Sequence, residues 1–352
     1  MKIGIVGFAG SGKTTVFNAL TGLAAETGFG GREKANVGVI KVPDPRVDKL
    51  AELYKPKKKT YAEISFVDVA GPEHQADETA EKGLDQKLVQ HMREVDALVH
   101  VVRAFESPYL TAAPNPLGDV RGFEEEMILT DLVQIETRIA RLKKERDSTR
   151  ERELLERLKA DLESEKPLRD VEIGAEELTL ISGFRFLSHR PVLLLLNVDE
   201  ADASAPPSPG LAAFAKDHNL SLISMCGKAE ADIAELDPAE QRDFLQDLGI
   251  TEPARDRFIR AAYGLLDLIS FLTAGEDECR AWPIKRGTHA QKAAGKIHSD
   301  IERGFIRAEV IKFEDLIEMG SIAHCREHGK LRLEGKEYVV QDGDVINFRF
   351  NV

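Results

Sequence analysis

The sequence of 352 residues is poor in several things, and each scarcity removes a class of protein. It has three cysteines, Cys226, Cys279 and Cys325, far apart and without paired spacing. That excludes a disulfide framework or a cysteine-based zinc site and suits reduced thiols in a cytoplasm. No apolar run approaches the ~20 residues needed to cross a bilayer. Met1-Lys2 leads directly into an apolar segment, so the expectation is a cytoplasmic chain with no leader and no membrane partner. Positive charge is also short: 48 Lys and Arg face 61 Asp and Glu, a net charge of −13. This argues against a nonspecific nucleic-acid coat or a sequence-specific DNA reader, and leaves room for a local basic face on RNA. The length corresponds to two or three domains with substantial cores, and the chain is expected to act as a monomer.

What the sequence does contain is a phosphate loop. Gly7-Phe8-Ala9-Gly10-Ser11-Gly12-Lys13-Thr14 fits G-x-x-x-x-G-K-[ST], after an apolar strand (Ile3 to Val6) and before a helix starting near Thr15. Glycines let the backbone approach phosphate, and loop amides at a helix N-terminus face the anion. Gly10, Ser11, Gly12, Lys13, Thr14 and Thr15 are therefore the expected phosphate cradle. Lys13 is expected to reach the β- and γ-phosphates as a catalytic cation, and Thr14 to ligate Mg²⁺. Downstream, Glu63 to Val67 leads into Asp68-Val69-Ala70-Gly71, a strand ending in D-x-x-G. Asp68 would hold the hydrated Mg²⁺ and the Gly71 amide would meet the γ-phosphate.

The glycine-rich stretch Glu26 to Lys34 and the charged stretch Gln75 to Asp85 read as two mobile switches. Further strands are expected at 37–42, 97–102, 191–196 and 221–226, alternating with helices at 46–53, 87–95, 176–187 and 211–217. That alternation gives an α/β fold with a doubly wound, mostly parallel sheet. Lys55 to Lys59 reads as a solvated basic turn, Tyr109 to Gly122 as a linker, and His100 as a core or strand-end histidine rather than a ligand. Ile128, Leu132, Ile135, Ile139 and Leu142 form a heptad seam that Leu155, Leu158 and Leu162 continue after a polar break, which predicts an inserted antiparallel coiled coil. The expected domains are 1–122 and 171–267 (nucleotide domain), 123–170 (insertion) and 268–352 (a small α+β module). In the last, Asp342-Gly343 reads as a hairpin turn and Trp282 as a core residue or an RNA-stacking one.

GTP-binding proteins read guanine with N-K-x-D at the end of the strand that corresponds to 191–196 here. Here the tetrad is Asn197-Val198-Asp199-Glu200. Val198 removes the lysine stem and Glu200 is a methylene longer than Asp, so the two-point fit to guanine is lost. ATP is therefore expected over GTP. Asn197, Val198 and Glu200 are expected at the base, with backbone from Met225-Cys226-Gly227.

Together these stretches resemble the YchF / Obg-like ATPase family of translation-associated P-loop NTPases. The resemblance rests on GFAGSGKTTVFNAL (Gly7–Leu20), NVGVIKVPDPRVDKLAELYKP (Asn36–Pro56), FVDVAG (Phe66–Gly71), MREVDALVHVVRAFE (Met92–Glu106), the Asn197–Glu200 tetrad and EADIAELD (Glu230–Asp237). It extends to Ala281–Ile311 and Lys330–Val352, which look like that family's TGS module. The resemblance implies a G-domain, an inserted coiled coil, a ubiquitin-like β-grasp TGS domain, ATP hydrolysis and association with ribosomes. Three positions depart from the pattern. Arg32 stands where the family's first switch has a Mg²⁺-serving threonine, and could act as a cis arginine finger. Pro72 stands where many GTPases carry a water-orienting glutamine. The family's catalytic loop histidine has no match in Ser107 to Ala113, which leaves His74, and less strongly Glu73, to position water. These departures keep two other readings open: a nucleotide-dependent binding module with little hydrolysis, and a true GTPase.

Overall fold

The computed structural model describes residues 1–23, 36–69, 84–145, 149–247, 249–250 and 252–351. In chain order the first elements are β1 (Lys2–Val6), α1 (Lys13–Thr21), β2 (Asn36–Val42), α2 (Pro45–Tyr54), β3 (Lys58–Thr60), β4 (Ala62–Asp68), α3 (Gln86–Arg93) and β5 (Ala97–Ala104). Then come α4 (Pro116–Glu145), α5 (Thr149–Glu163), α6 (Ala175–Ile181), β6 (Val192–Val198), α7 (Pro209–Asp217), β7 (Ser221–Met225), α8 (Gly227–Glu235), α9 (Pro238–Asp247) and α10 (Ala254–Leu265). The chain ends with β8 (Leu268–Thr273), β9 (Glu278–Lys285), α11 (Ala290–Ile297), α12 (Ser299–Arg303), β10 (Phe305–Lys312), α13 (Phe313–Met319), α14 (Ile322–Glu327), β11 (Arg332–Glu334) and β12 (Asp344–Phe350). No helix among the described residues is long and apolar enough to cross a membrane.

The first sheet has the order β2-β4-β1-β5-β6-β7, and β1 runs parallel to both β4 and β5, β5 to β6, and β6 to β7. β6 is buried at every position from Val192 to Val198, as expected for a strand with both faces covered. This is the α/β, doubly wound sheet that the strand–helix alternation implies. The second sheet has the order β11-β10-β12-β8-β9-β3 and packs its own core, including Phe271, Ile284, Ala293, Val310 and Ile346, against α11. By compactness the chain divides into Met1–Val39 with Ser65–Ala261, and Ile40–Ile64 with Ala262–Val352. The segment from Ile40 to Ile64 thus goes with the C-terminal body, where β3 pairs parallel with β9 and Arg46 bridges Asp44 and Asp342 at 2.8 Å each.

The seam residues Ile128, Ile135, Ile139 and Leu142 of α4 are buried with Leu155, Leu158 and Leu162 of α5, and Leu132 packs against them. Four local expectations are corrected. Residues 116–122 are not linker but the first turns of α4. Asn115 caps that helix, accepting from the Gly118 amide at 3.2 Å, and Pro116 fits the first helical position. The helix expected over 176–187 ends at Ile181; a few residues on, Arg185 takes the left-handed region at φ +52°, and the buried Asp131 carboxylate accepts from the Leu187 and Ser188 amides at 2.9 and 2.7 Å, which leaves those amides no helical partner. Lys58 to Thr60 is an edge strand rather than a turn; lysines are common on edges because they discourage further pairing. Asp342-Gly343 does turn, with Gly343 at φ +82°, yet β11 and β12 on either side each pair with β10 rather than with one another.

Candidate nucleotide-binding site

The site is built at the carboxyl ends of β1, β4, β5, β6 and β7, where doubly wound sheets hold ligands. Gly7 leaves β1 at φ +146°, and a Cβ there would lie 2.4 Å from the Val101 carbonyl oxygen. Gly12 caps α1 in the left-handed region at φ +85°, and a Cβ there would stand 2.3 Å from the Asn197 amide nitrogen. The Gly12 carbonyl accepts from the Val16 amide at 2.9 Å and opens the helix, so the Lys13, Thr14 and Thr15 amides have no intrahelical acceptor and form a helix N-terminus suited to an anion.

The Lys13 ammonium folds back over the loop and donates to the Gly7 and Phe8 carbonyls at 2.9 and 2.8 Å. Burial lowers its pKa to about 8, against the opposing pull of Asp68. The β1–β4 register sets Asp68 opposite Ile5, beside the loop. There Thr14 Oγ1 donates to Asp68 Oδ2 at 3.2 Å. A hydroxyl and a carboxylate held together at a helix start form a hard-oxygen donor pair, so the residues fit the Mg²⁺ expected of them.

Asn197 is buried, and both ends of its amide are engaged by the protein. Nδ2 donates to the Ser11 carbonyl at 3.0 Å, and Oδ1 accepts from the Gly227 amide at 3.0 Å. The side chain therefore clamps the phosphate loop to the β7–α8 turn. Around that turn Met225 and Val198 are buried, so Met225 offers backbone rather than side chain. Cys226 caps α8, accepting from the Ala229 amide at 3.5 Å, and burial raises its thiol pKa. Thr15 lies against Gly227, whose added Cβ would be 3.7 Å from the threonine methyl. The Glu200 carboxylate reaches the Lys228 ammonium at 3.0 Å.

Below the loop, His100 is fully buried on β5. It stacks on Phe123 of α4 with ring centroids 4.3 Å apart and meets Phe8 edge-on at 6.4 Å. Neither ring nitrogen has a hydrogen-bond partner, and burial, aided by the Lys13 charge, lowers the imidazole pKa to about 3. It is the core histidine the strand position implies.

The expected residues 10–15, Asp68, 197–198, Glu200 and 225–227 thus lie at the carboxyl ends of the sheet's strands. Gly71, Arg32 and His74, with Pro72 and Glu73, lie outside the described residues. Three further residues have no signal in the sequence. Leu110, in the loop after β5, stands over Gly10, where a Cβ would meet its Cδ1 at 2.7 Å. Arg103 is buried at the end of β5 and donates to the Ala112 carbonyl at 2.6 Å, which holds that loop in place. Lys228 is the third. A loop leucine, a strand-end arginine and a surface lysine have no spacing that sets them apart.

A left-handed glycine opening α1, a lysine folded onto the loop and an asparagine tying that loop to the far end of the sheet define a P-loop nucleotide-binding protein of the G-domain class. Comparison with known proteins narrows this. Residues 2–162 match the family described as "50S ribosome-binding GTPase", and 268–351 match the YchF-GTPase C-terminal family, described as "Protein of unknown function (DUF933)". The "Ribosome-binding ATPase YchF" of Bacillus subtilis (strain 168) is 44% identical, with 100% of each chain covered. "Obg-like ATPase 1" of Oryza sativa subsp. japonica is 37% identical over 100% of this chain and 92% of its own. The solved structure of the Schizosaccharomyces pombe YchF GTPase superposes with a TM-score of 0.86 at 29% identity, over 99% of this chain and 97% of that one. The chain belongs to the YchF family.

Proposed function

We propose that this protein is a Mg²⁺-dependent ATPase switch of the cytoplasm that binds ATP in preference to GTP, turns it over slowly and associates with ribosomes. The observation that carries the reading is the clamp at Asn197. It ties the phosphate loop to the β7–α8 turn from a tetrad that carries Val198 and Glu200 in place of the lysine and aspartate that guanine requires. Ribosome association draws on similarity over the whole chain to relatives named as ribosome-binding ATPases.

Gly10 to Thr15 would bind the phosphates through backbone amides, and Lys13 would move its charge from the loop carbonyls toward the β- and γ-oxygens. Thr14 and Asp68 would hold Mg²⁺, which when bound supplies charge neutralisation to the phosphate oxygens. Gly71 would donate to the γ-phosphate, His74 would position the attacking water, and Arg32 would meet the developing charge. Turnover of ATP by purified protein, alone and with ribosomes, tests this together with ribosome co-sedimentation. Arg32→Ala and His74→Ala should each lower turnover with nucleotide affinity unchanged; wild-type turnover in either variant removes that residue from the mechanism. A second reading, a binding module with little hydrolysis, draws on the apolar Leu110 over Gly10 in a loop without a histidine. Nucleotide-dependent ribosome binding without measurable turnover would favour it.

A further inference from the structure

The base-side turn carries a lysine that the tetrad does not account for. Asn197 fixes the Gly227 amide, so the next residue, Lys228, leaves a point anchored to the tetrad itself. Its ammonium reaches back to Glu200 Oε1 at 3.0 Å. Two links, Asn197–Gly227 and Glu200–Lys228, therefore zip the end of β6 to the start of α8. The cation sits on one oxygen of the carboxylate, Oε1.

That division bears on base choice. Guanine presents two adjacent donors, N1–H and the 2-amino group, which a carboxylate answers best with one oxygen each, and an oxygen already held by an ammonium is the poorer acceptor of the two. Adenine presents a single exocyclic amine and needs one. We propose that Lys228 is a specificity-positioning residue: by holding Oε1 of Glu200 it fixes the carboxylate and weakens that oxygen as a second acceptor, which suits adenine and disfavours guanine. The inference rests on the proposed role of the Asn197–Glu200 tetrad at the base. Exposed ion pairs are individually weak, so the expected effect is modest, about fivefold in selectivity, or about 1 kcal/mol.

The test measures dissociation constants for ATP, GTP and ITP with Mg²⁺ on the full chain as wild type, Lys228→Met, Glu200→Gln and the double variant. ITP has the N1–H of guanine and no 2-amino group. Lys228→Met should tighten GTP about fivefold relative to ATP and ITP less, and should have no effect on selectivity once Glu200 is Gln. Equal shifts for all three nucleotides would mean that Lys228 acts on the fold of the turn alone, and would overturn the proposal. So would an unchanged ATP:GTP ratio in Lys228→Met when wild type prefers ATP and Glu200→Gln alters that preference. Wild type that does not prefer ATP, or a ratio indifferent to Glu200→Gln, would instead remove the tetrad reading on which the proposal stands. Unchanged thermal midpoints across the set confirm that the variants fold.

Discussion

Truncating Asn197 separates two roles that a strand-end asparagine can have. As a base contact alone, it would affect nucleosides and leave inorganic phosphates untouched. The geometry instead gives it a clamp, with the Ser11 carbonyl and the Gly227 amide each 3.0 Å from its amide. Asn197→Ala leaves two buried backbone groups without their partner, each costing about 1–3 kcal/mol. Water entering the vacated space recovers part of this, so a net loss of about 2–3 kcal/mol is expected, shared between folding and phosphate-loop order. The loop is what binds phosphate, so Mg²⁺-tripolyphosphate should bind about tenfold or more weakly to Asn197→Ala, and ATP by a similar factor. Titration calorimetry with both ligands, beside a thermal unfolding curve, reads the two effects. Wild-type tripolyphosphate affinity together with weakened ATP would refute the clamp and return Asn197 to the base alone.

Two further outcomes follow from buried charge. The Lys13 pKa of about 8 lies below that of an ordinary lysine, so free protein loses this charge above pH 8, and bound phosphates draw the proton back. Affinity should fall with rising pH above 8, by at most about tenfold per unit, with proton uptake on binding visible as a buffer-dependent enthalpy; Lys13→Met should abolish the uptake. His100 is favoured neutral in the fold, with a pKa of about 3, so its contribution is complete above the unfolded value near 6.5 and is lost as pH falls toward 3. His100→Phe should remove that loss, up to about 1.4 kcal/mol per pH unit between pH 6 and 4, and flatten the acid limb of a denaturation series. An unchanged limb would place the histidine's titration elsewhere.

The parts of the fold that were legible are those with a strong period or a steric necessity. Ile128 to Leu142 announces a coiled-coil seam because its spacing alternates between three and four. Val192 to Leu196 announces a strand covered on both faces, and Gly7 to Thr14 a phosphate loop, because few other sequences satisfy that geometry. The helix start at Asn115-Pro116 was readable from capping chemistry, yet its proline and glycine content suggested a linker. The path after α6 was not readable, since the carboxylate that takes the Leu187 amide, Asp131, lies 56 positions away. Likewise β3 exists through pairing with β9, over two hundred residues on. At the site, the phosphate loop, Asp68 and the Asn197 tetrad were legible by residue type and spacing. Leu110, Arg103 and Lys228 act by where the chain brings them, which no local pattern encodes.

The most direct test of the central claim is the turnover of ATP and of GTP by the wild-type chain, with Mg²⁺, in the presence and absence of ribosomes. The account predicts Mg²⁺-dependent ATP hydrolysis that Lys13→Ala abolishes, with GTP a poorer substrate at equal concentration. GTP hydrolysed as well as or better than ATP, or ATP hydrolysis indifferent to Lys13, would contradict it.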